Sequence, residues 1–524
     1  MPAPQSDRPD RPTGPNSPDR PDSPGGSTSP VRPSGPVARA SITRNSFTRD
    51  ATAPGDQAAF EGQGLRRGLK NRHVQMIALG GAIGTGLFYG SANGIQMAGP
   101  GILFAYIIGG ALIFLVMRAL GEMSVHTPVS GAFSSYAFEN WSRRAGFVSG
   151  WNYWFNYVVV SMAELAVVGT YVNFWFPQVP VWASAAVMLV IITGINLVNV
   201  RAYGEMELAL AIVKVVAILA MIGFGLVLIA TGSTIGGVPA GISNLWDHGG
   251  FLPHGIAGLA FAFVVVMFSF GGVELIGITA GEVEDPRRTI PRAINQIVLR
   301  ILIFYVGSMF VILCIYPWTR IDGSMSPFVA IFDGIGISGA AHMLNVVVLT
   351  AAASAYNSAL FANGRMLHAL AAQGNAPRFL GRTSRAGVPV AAVLTSSAVS
   401  AVAVVLAFLI PEQTFLVLVA VALAAGLINW SMVLITQMLF RRRIGAAQAG
   451  RLAYRMPLFP VANIVALALL VALFVGMAFM PQYRAAAVVG PVWLLGLVLA
   501  FTLTERRRAA RSGSDAVESS EPGE

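Results

Sequence analysis

Residues 79–88 read Leu-Gly-Gly-Ala-Ile-Gly-Thr-Gly-Leu-Phe, which places four glycines within seven residues of an apolar run. Each glycine in a helix interior costs about 1 kcal/mol relative to alanine, so a helix is unfavourable here. In hydrocarbon, an unwound backbone is tolerated only where protein or a wet cavity surrounds it. The helix that follows would direct bare N–H groups into that cavity. The stretch therefore predicts a carboxylate-binding segment inside a membrane.

Close helix packing is the alternative explanation for these glycines, because small residues spaced four apart let two helices approach. A second interrupted segment favours the binding segment. Residues 268–274 read Phe-Ser-Phe-Gly-Gly-Val-Glu within a later apolar run. Two Gly-interrupted helices in corresponding positions of two halves are typical of the binding site of secondary transporters.

The composition predicts an all-α polytopic membrane protein. Hydrophobic residues make up 55% of the 524 residues and charged residues 11%, whereas soluble proteins have about 25% charged residues. Twelve transmembrane helices are predicted from apolar stretches near the length needed to cross a bilayer. They lie in the run 74–117, divided in two at Pro100, and near 146–170, 181–200, 205–230, 255–280, 295–317, 340–364, 388–410, 413–439, 457–480 and 485–504. Five helices separate the first interruption from the second, so the two halves would be inverted relative to each other.

The basic residues predict that both termini are cytoplasmic. With the N-terminus inside, the inner segments carry 23 basic residues and the outer segments only Arg320 and Arg484. Cytoplasmic loops of membrane proteins carry such an excess. Topology thus explains the net charge of +10, and nucleic acid is not predicted as a partner. The predicted location is the plasma (inner) membrane, with the lipid bilayer around the helices.

Two polar tails flank the predicted transmembrane domain, residues 65–505. Residues 1–64 are rich in Pro, Ser, Gly, Arg and Asp, with few apolar residues. Such a segment buries too little surface to offset its ordering entropy, so a disordered cytoplasmic tail is predicted. It is either a regulatory segment or a dispensable extension. Residues 506–524 are predicted to be a cytoplasmic C-terminal tail.

Three charged residues within predicted helices are candidate functional residues, because charge inside a membrane is costly and typically functional. Glu274 follows the second interruption, and either couples protons or senses substrate, or holds the break through hydrogen bonds. Glu164 leaves the same choice between function and interhelical hydrogen bonding. Lys214, the only lysine after Lys70, either cycles protons and replaces a sodium ion, or extends its ammonium to the membrane surface.

Other polar residues have less specific interpretations. Glu122 lies one turn after Arg118, which predicts an ion pair between them. Ser354 and Asn357 either reach the cavity or hydrogen-bond neighbouring helices. The sequence contains one cysteine, Cys314, and six histidines without metal-ligand spacing, so no metal site or cofactor is predicted. It has no Ser/His/Asp set or phosphate loop, which disfavours a membrane enzyme.

Several of these motifs together resemble the bacterial amino acid permeases of the amino acid–polyamine–organocation superfamily. The likeness covers about residues 65–505. It depends on the segments 80–88, 98–100, 121–128, 163–165, 268–274 and 281–293. The resemblance implies a LeuT-type fold, with ten core helices in two inverted repeats of five, two further helices, and the first and sixth helices broken.

The resemblance also implies a set of substrate-binding residues. They are the backbone N–H groups of Gly84, Thr85 and Gly86 with the Thr85 hydroxyl, for the substrate carboxylate, and the carbonyls of Ala82, Phe268 and Gly271, for its amino group. Phe268 matches an aromatic gate. Lys214 matches a lysine that replaces sodium in proton-coupled relatives, and Glu274 matches a carboxylate tied to proton coupling.

The substrate is less defined by the resemblance. Residues 150–154 and 163–165 resemble aromatic amino acid permeases, whereas residues 117–126 and 364–368 resemble proline, histidine or 4-aminobutyrate permeases. The small pair Gly271-Gly272 leaves room for a bulky side chain. The expected function is import of neutral amino acids, with aromatic ones favoured, driven by the proton gradient. An exchanger, a sodium symporter and a non-translocating nutrient sensor are the alternatives.

Overall fold

The computed structural model describes residues 75–76, 81, 83–129, 131–198, 200–235, 237–283, 285–321, 326–329 and 338–518. The predicted N-terminal tail, residues 1–64, lies outside these ranges. Among the described residues, the one sheet is an antiparallel pair of short strands, β1 (Thr234–Ile235) and β2 (Val238–Pro239). The remaining regular structure is helical, which agrees with an all-α polytopic membrane protein.

The helices of the first half follow the chain with short connections. They are α1 (Ser91–Ala98), α2 (Ile102–His126), α3 (Ala132–Asn140), α4 (Arg143–Asn173), α5 (Val181–Val198) and α6 (Val200–Thr231). A π-helical turn, Gly86–Gly90, leads directly into α1, and a 3-10 turn, Gly99–Gly101, joins α1 to α2.

In the second half of the chain, several pairs of consecutive helices are separated only by a short segment. The helices of this half are α7 (Gly255–Phe268), α8 (Leu275–Ile278), α9 (Pro286–Arg300), α10 (Ser308–Ile315), α11 (Ser338–Ala372), α12 (Val390–Ser400), α13 (Val402–Leu409), α14 (Pro411–Ala449), α15 (Val461–Met477) and α16 (Arg484–Glu518). A π-helical segment, Ile301–Gly307, joins α9 to α10, and Ala401 alone separates α12 from α13.

Nine helices among the described residues are long and apolar enough to cross a membrane. Two shorter apolar helices, α7 and α15, accompany them. One of the nine, Gly86–His126, contains both α1 and α2, which are separated at the predicted turn by Gly99 with φ of 58° and by the 3-10 turn Gly99–Gly101. The described part of the chain therefore forms a multi-pass membrane protein.

Several predicted helices are too short at their ends, and others, such as 181–200 and 457–480, are too long. The predicted range 413–439 belongs to a helix that continues to a break at Gly445, where φ is 76°, and the range 340–364 to one that reaches Ala372. The last helix crosses the predicted tail boundary and ends at Glu518. Arginine, glutamine and alanine are good helix formers, so a helix does not stop where its apolar stretch stops.

The centre of the protein is built around α4 and α11. Their most apolar windows are 78% and 83% buried, whereas those of α5, α6 and α16 are each 22% buried and form the lipid-facing periphery. The most extensive helix contacts join α4 to α11 and α4 to α14. Helix α1 packs along α7, where a Cβ on Gly258 would collide with the backbone oxygen of Met97.

Both predicted interruptions are visible in the chain path. At the first, Gly81 lies in a turn and Ile83 and Gly84 in a bend, before helical structure begins at Thr85. At the second, α7 ends at Phe268 and consecutive turns lead to α8 at Leu275.

Candidate functional site

The two interruptions touch each other. A Cβ placed on Gly86 would lie 2.8 Å from the backbone Cα of Ser269 and 3.1 Å from Cδ1 of Phe268. Real Cβ atoms do not approach backbone this closely, so only glycine fits at position 86. The absence of this side chain lets the backbones of the two interrupted segments come into direct contact.

The second interruption has its own local constraints. Gly272 has φ of 100°, a conformation that residues with a Cβ rarely adopt. The Tyr305 hydroxyl donates to the carbonyl oxygen of Ser269 at 3.0 Å and so satisfies one acceptor in the non-helical segment. Glycine and a tyrosine from the adjacent π-helical segment therefore stabilise the break.

A cavity lies at these interruptions. Its walls come from both interruptions and from α4, α8, α11 and α14, through Gly81, Gly84, Gly86, Asn156, Tyr157, Val160, Glu164, Phe268, Ser269, Gly271, Gly272, Glu274, Leu275, Ala355, Ser358, Ala359, Ala422, Leu423, Gly426 and Trp430. Six of the predicted site residues are on this wall: Gly84, Gly86, Phe268, Gly271, Glu164 and Glu274. Ala82 lies outside the described residues. Thr85 and Lys214 are fully buried beside the cavity and do not line it.

Glu164 lies against the first interruption. Its Oε1 accepts a hydrogen bond from the Thr85 hydroxyl at 3.0 Å and would be 3.1 Å from a Cβ on Gly84. Its Oε2 has no hydrogen-bond partner among the described residues. The side chain is 3% exposed. The structure thus places a carboxylate directly beside the predicted substrate-binding backbone.

Lys214 also contacts the first interruption. Its Nζ donates to the carbonyl oxygen of Ile83 at 3.0 Å and to the Ser354 hydroxyl at 2.8 Å. The residue is completely buried, so its side chain does not extend to the membrane surface. The ammonium therefore connects the first interruption, α6 and α11. Ser354 serves this contact and does not line the cavity.

Glu207 is a buried carboxylate that the sequence reasoning missed. Its Oε1 accepts from the Ser354 hydroxyl at 2.5 Å and its Oε2 from the Asn357 amide at 3.2 Å. Ser354 therefore accepts from Lys214 and donates to Glu207, which joins the two charges. The spacing contained the signal, because residues seven apart lie on one face of a helix.

Glu274 lies near a different part of α4. Its Oε1 accepts from the Tyr157 hydroxyl at 2.9 Å, and its Oε2 has no partner among the described residues. The Trp430 indole lies beside this carboxylate. Both residues are on the cavity wall and at most 3% exposed. No group of three or more His, Cys, Asp or Glu in the described ranges is arranged to hold a metal ion.

The comparisons with known proteins identify the family. The sequence model described as "Amino acid permease" matches residues 73–512. The chain belongs to this family. The permease is 50% identical over 451 residues to the aromatic amino acid transport protein AroP of Escherichia coli (strain K12), which covers 86% of the permease and 98% of AroP.

Two further relatives agree. The permease is 50% identical over 447 residues to AroP of Salmonella typhimurium (strain LT2), covering 85% and 97% of the two chains. It is 47% identical over 439 residues to the uncharacterized amino acid permease YtnA of Bacillus subtilis (strain 168), covering 84% and 95%. The predicted resemblance to amino acid permeases is confirmed, and the protein is an amino acid transporter rather than an enzyme.

One predicted ion pair of the permease is wrong. Arg118 does not contact Glu122; it donates to Asn295 at 3.2 Å and stacks over the Tyr454 ring. Glu122 pairs instead with Arg441 of α14, with Nη2 2.5 Å from Oε2. Residues four apart on a helix are close enough to pair, but a partner from another helix offered the better-buried, bidentate arrangement.

The environment of Glu122 is fully hydrogen-bonded. It accepts from Arg441 Nε at 2.7 Å, from the Gln437 amide at 2.7 Å and from the backbone N–H of Met456 at 2.6 Å. Gln437 in turn accepts from Asn463 of α15 at 2.8 Å. We call these five residues the Glu122 network. It ties α2, α14, the loop after α14, and α15 together.

Proposed function

We propose that this permease imports neutral amino acids with aromatic side chains, together with protons, across a bacterial plasma membrane. One observation carries the proposal. The two interrupted segments meet at a cavity whose wall includes Gly84, Gly86, Glu164 and Glu274. Such a cavity offers backbone groups for an amino acid's carboxylate and amine, and two carboxylates that can take up protons. The aromatic preference is supported by the AroP relatives, which are aromatic amino acid transport proteins.

The proposed fold has twelve transmembrane helices, ten of them in two inverted repeats of the LeuT type. Two contacts support it. Helix α1, after the first interruption, packs along α7, which precedes the second. Helix α4 packs along α11, and these contain the third and eighth predicted helices. Pairs related by an inverted repeat are thus neighbours at the centre. Alternating access would then move one group of helices around the interruptions.

Substrate binding follows from the chemistry of the interruptions. The substrate carboxylate would accept from the N–H groups of Gly84, Thr85 and Gly86 at the start of the helical segment, where the positive dipole end lies. The amino group would bind carbonyls of Ala82, Phe268 and Gly271. Because the Thr85 hydroxyl donates to Glu164 in this structure, its proposed bond to substrate requires that this hydrogen be released.

Proton coupling is assigned to Glu164, Lys214 and Glu274. The Lys214 ammonium bonds to the carbonyl oxygen of Ile83 and to Ser354, which are the oxygen ligands a bound cation would use. A protein cation at this point supports coupling to protons in preference to a sodium ion. Loss of the Lys214 proton would weaken its bond to the Ile83 carbonyl oxygen by removing the positive charge, and so link protonation to the conformation of the substrate-binding segment.

The proposal is tested by uptake of labelled phenylalanine into proteoliposomes that contain the full-length protein. Uptake that requires an inward proton gradient, is indifferent to sodium, and is blocked by tyrosine and tryptophan is the expected result. Gradient-dependent uptake of proline, histidine or 4-aminobutyrate, with no uptake of phenylalanine, would change the proposed substrate and leave the proposed mechanism standing. Binding without uptake or exchange would indicate a sensor. With both termini proposed as cytoplasmic, terminal tags should resist protease added outside intact cells.

A further inference from the structure

Gly426 lies within α14 and lines the cavity. A Cβ placed on it would have one atom of the described residues within 4 Å, apart from its chain neighbours and the backbone of its own helix. That atom is the amide nitrogen of Asn156, at the ordinary van der Waals distance of 3.6 Å. Gly426 is buried, and buried side chains are normally packed on all sides. The space beside Gly426 is therefore part of the cavity.

Close helix packing does not account for this glycine. At Gly169 of α4, a Cβ would lie 2.4 Å from the Val181 side chain and 2.7 Å from the Val181 Cα, which is the geometry of a small residue that lets two helices approach. At Gly86 the corresponding atom would meet the backbone of Ser269. Gly426 makes neither kind of contact with the described residues, and glycine weakens a helix relative to alanine. The remaining effect of this glycine is the space that it leaves.

The helices on either side of this space are fixed to each other. The Asn156 amide donates to the carbonyl oxygen of Ala422, one turn before Gly426, at 2.5 Å. The Asn152 amide donates to the carbonyl oxygen of Ala425 at 3.0 Å. Both asparagines belong to α4 and are at most 5% exposed. These bonds oppose a separation of α4 from α14, so a side chain added at position 426 would occupy the cavity instead of pushing α14 away.

Gly426 lies away from the segment proposed to hold the substrate's carboxylate. At that segment, Glu164 is bonded to Thr85. Asn156, which is beside Gly426, is eight residues from Glu164 on α4, and this is about 12 Å along the helix axis. An amino acid carries its carboxylate at one end and the tip of its side chain at the other. A substrate held at the first interruption would therefore extend its side chain toward Gly426.

We propose that Gly426 determines the largest side chain that the cavity accepts, because it leaves the space for the second ring of tryptophan. This inference rests on the proposed function. A phenylalanine side chain has one ring and needs less of this space. A methyl group at position 426 therefore excludes tryptophan before phenylalanine, and a larger group excludes both, since a filled pocket discriminates against the bulkier substrate.

The first experiment measures uptake of labelled tryptophan and phenylalanine into proteoliposomes that contain the full-length protein, Gly426→Ala or Gly426→Val. The ratio of kcat/KM for tryptophan to that for phenylalanine should fall at least threefold in Gly426→Ala and at least tenfold in Gly426→Val. The matched control is Gly476→Ala on α15, where a Cβ would meet none of the described atoms within 4 Å and which does not line the cavity. Its ratio should not change. A ratio that is unchanged in both Gly426 variants overturns the inference and leaves aromatic transport standing.

The second experiment tests the position of Gly426 without reference to substrate size. Gly426→Cys is combined with Cys314→Ala, which removes the one native cysteine. A small methanethiosulfonate reagent should inactivate phenylalanine uptake by this variant, and phenylalanine should slow the inactivation at least threefold. Uptake that the reagent leaves unchanged would overturn the inference. If the unmodified protein takes up no aromatic amino acid, the proposed function fails and this inference fails with it.

Discussion

A fully buried ammonium needs an opposite charge nearby, since an unpaired charge in a low-dielectric interior is strongly destabilising. The Lys214 ammonium donates to the Ser354 hydroxyl, and Ser354 donates to the Glu207 carboxylate. The serine hydroxyl accepts from one and donates to the other. Glu207 therefore stabilises Lys214 in its place against Ile83, although it lies outside the cavity wall.

Glu207→Gln should impair transport without unfolding the protein. The amide keeps an acceptor for Ser354 but removes the negative charge that compensates Lys214. We expect proton-driven uptake to fall at least tenfold, which corresponds to about 1.4 kcal/mol. Uptake by purified protein in proteoliposomes, normalised to the amount of monodisperse protein, is the measurement.

The matched control is Glu205→Gln, two residues earlier on α6. Residues two apart point about 200° away from each other around a helix, so Glu205 faces away from Ser354. Its loss should change uptake less than twofold. Equal effects of the two substitutions would mean that uptake depends on the negative charge of α6 and not on the contact between Glu207 and Ser354.

At this scale the sequence identifies candidate residues but does not predict their partners. Glu164, Lys214 and Glu274 stand out because charge is rare in apolar helices. Their bonds to Thr85, Ile83 and Tyr157 depend on how distant helices pack, which the sequence alone does not define. Glu207 was not among the predicted residues, although its spacing of seven from Lys214 places the two on one face of a helix.

The interrupted segment between α7 and α8 is held by consecutive short-range backbone hydrogen bonds, among them Gly271 N–H to the Phe268 carbonyl oxygen at 3.0 Å and Leu275 N–H to the Gly272 carbonyl oxygen at 3.2 Å. Tyr305, from the π-helical segment after α9, supplies one from outside to the carbonyl oxygen of Ser269. Ser269 is also the residue that Gly86 approaches. The Tyr305 hydrogen bond therefore holds the same residue, Ser269, at which the two interruptions touch.

Tyr305→Phe should weaken substrate binding. A net hydrogen bond contributes about 0.5–1.5 kcal/mol, so the KM for the transported amino acid should rise about two- to tenfold, with a smaller change in maximal rate. Initial-rate uptake over a range of substrate concentrations measures both. Tyr171→Phe is the control, because the Tyr171 hydroxyl is buried without a hydrogen-bond partner in the described structure. If Tyr305→Phe leaves the KM unchanged, the hydrogen bond from Tyr305 to Ser269 does not contribute to substrate binding.

Element positions were predictable and element ends were not. Dense glycine locates both interruptions, because its cost in a helix and its freedom at positive φ are local properties. The ends of α11, α14 and α16 depend on good helix formers beyond the apolar stretches. The turn predicted near Pro100 is present, because Gly99 adopts φ of 58° and a 3-10 turn, Gly99–Gly101, separates α1 from α2.

Across the whole molecule, the Glu122 network is the main polar connection outside the cavity. It holds α15, which follows the ten predicted repeat helices, to α2 and α14. The Glu122 side chain is completely buried and that of Arg441 is 13% exposed. Breaking such a pair by removing one partner leaves an uncompensated buried charge.

Glu122→Gln should therefore lower stability by about 3 kcal/mol or more. The midpoint of thermal inactivation in detergent should fall accordingly, as followed by fluorescence-detected size exclusion after heating. The comparison is Arg143→Gln, which removes the pair between α4 and α16. Arg143 and Glu505 are 3.4 Å apart and 44% and 33% exposed, so less than about 1 kcal/mol should be lost. Similar losses of stability in both variants would mean that the Glu122 network does not hold these helices together.

Charge distribution predicted an orientation for the whole chain, but not this network. Arginines at 441–443 were counted as inner-face charge, and Arg441 turned out to be directed inward to Glu122. The positive-inside rule averages over such residues, so it predicts which side a loop occupies and not which arginine is buried.

The contact at Gly86 has a consequence for how this protein can vary through descent. Every amino acid replacement there adds at least a Cβ, and that atom meets the backbone of Ser269, which no rotamer change can move aside. No amino acid substitution at this position is therefore mild in its effect on the structure. A lineage that alters this codon must also move the backbone at Ser269, and no substitution of the Ser269 side chain alone makes that room.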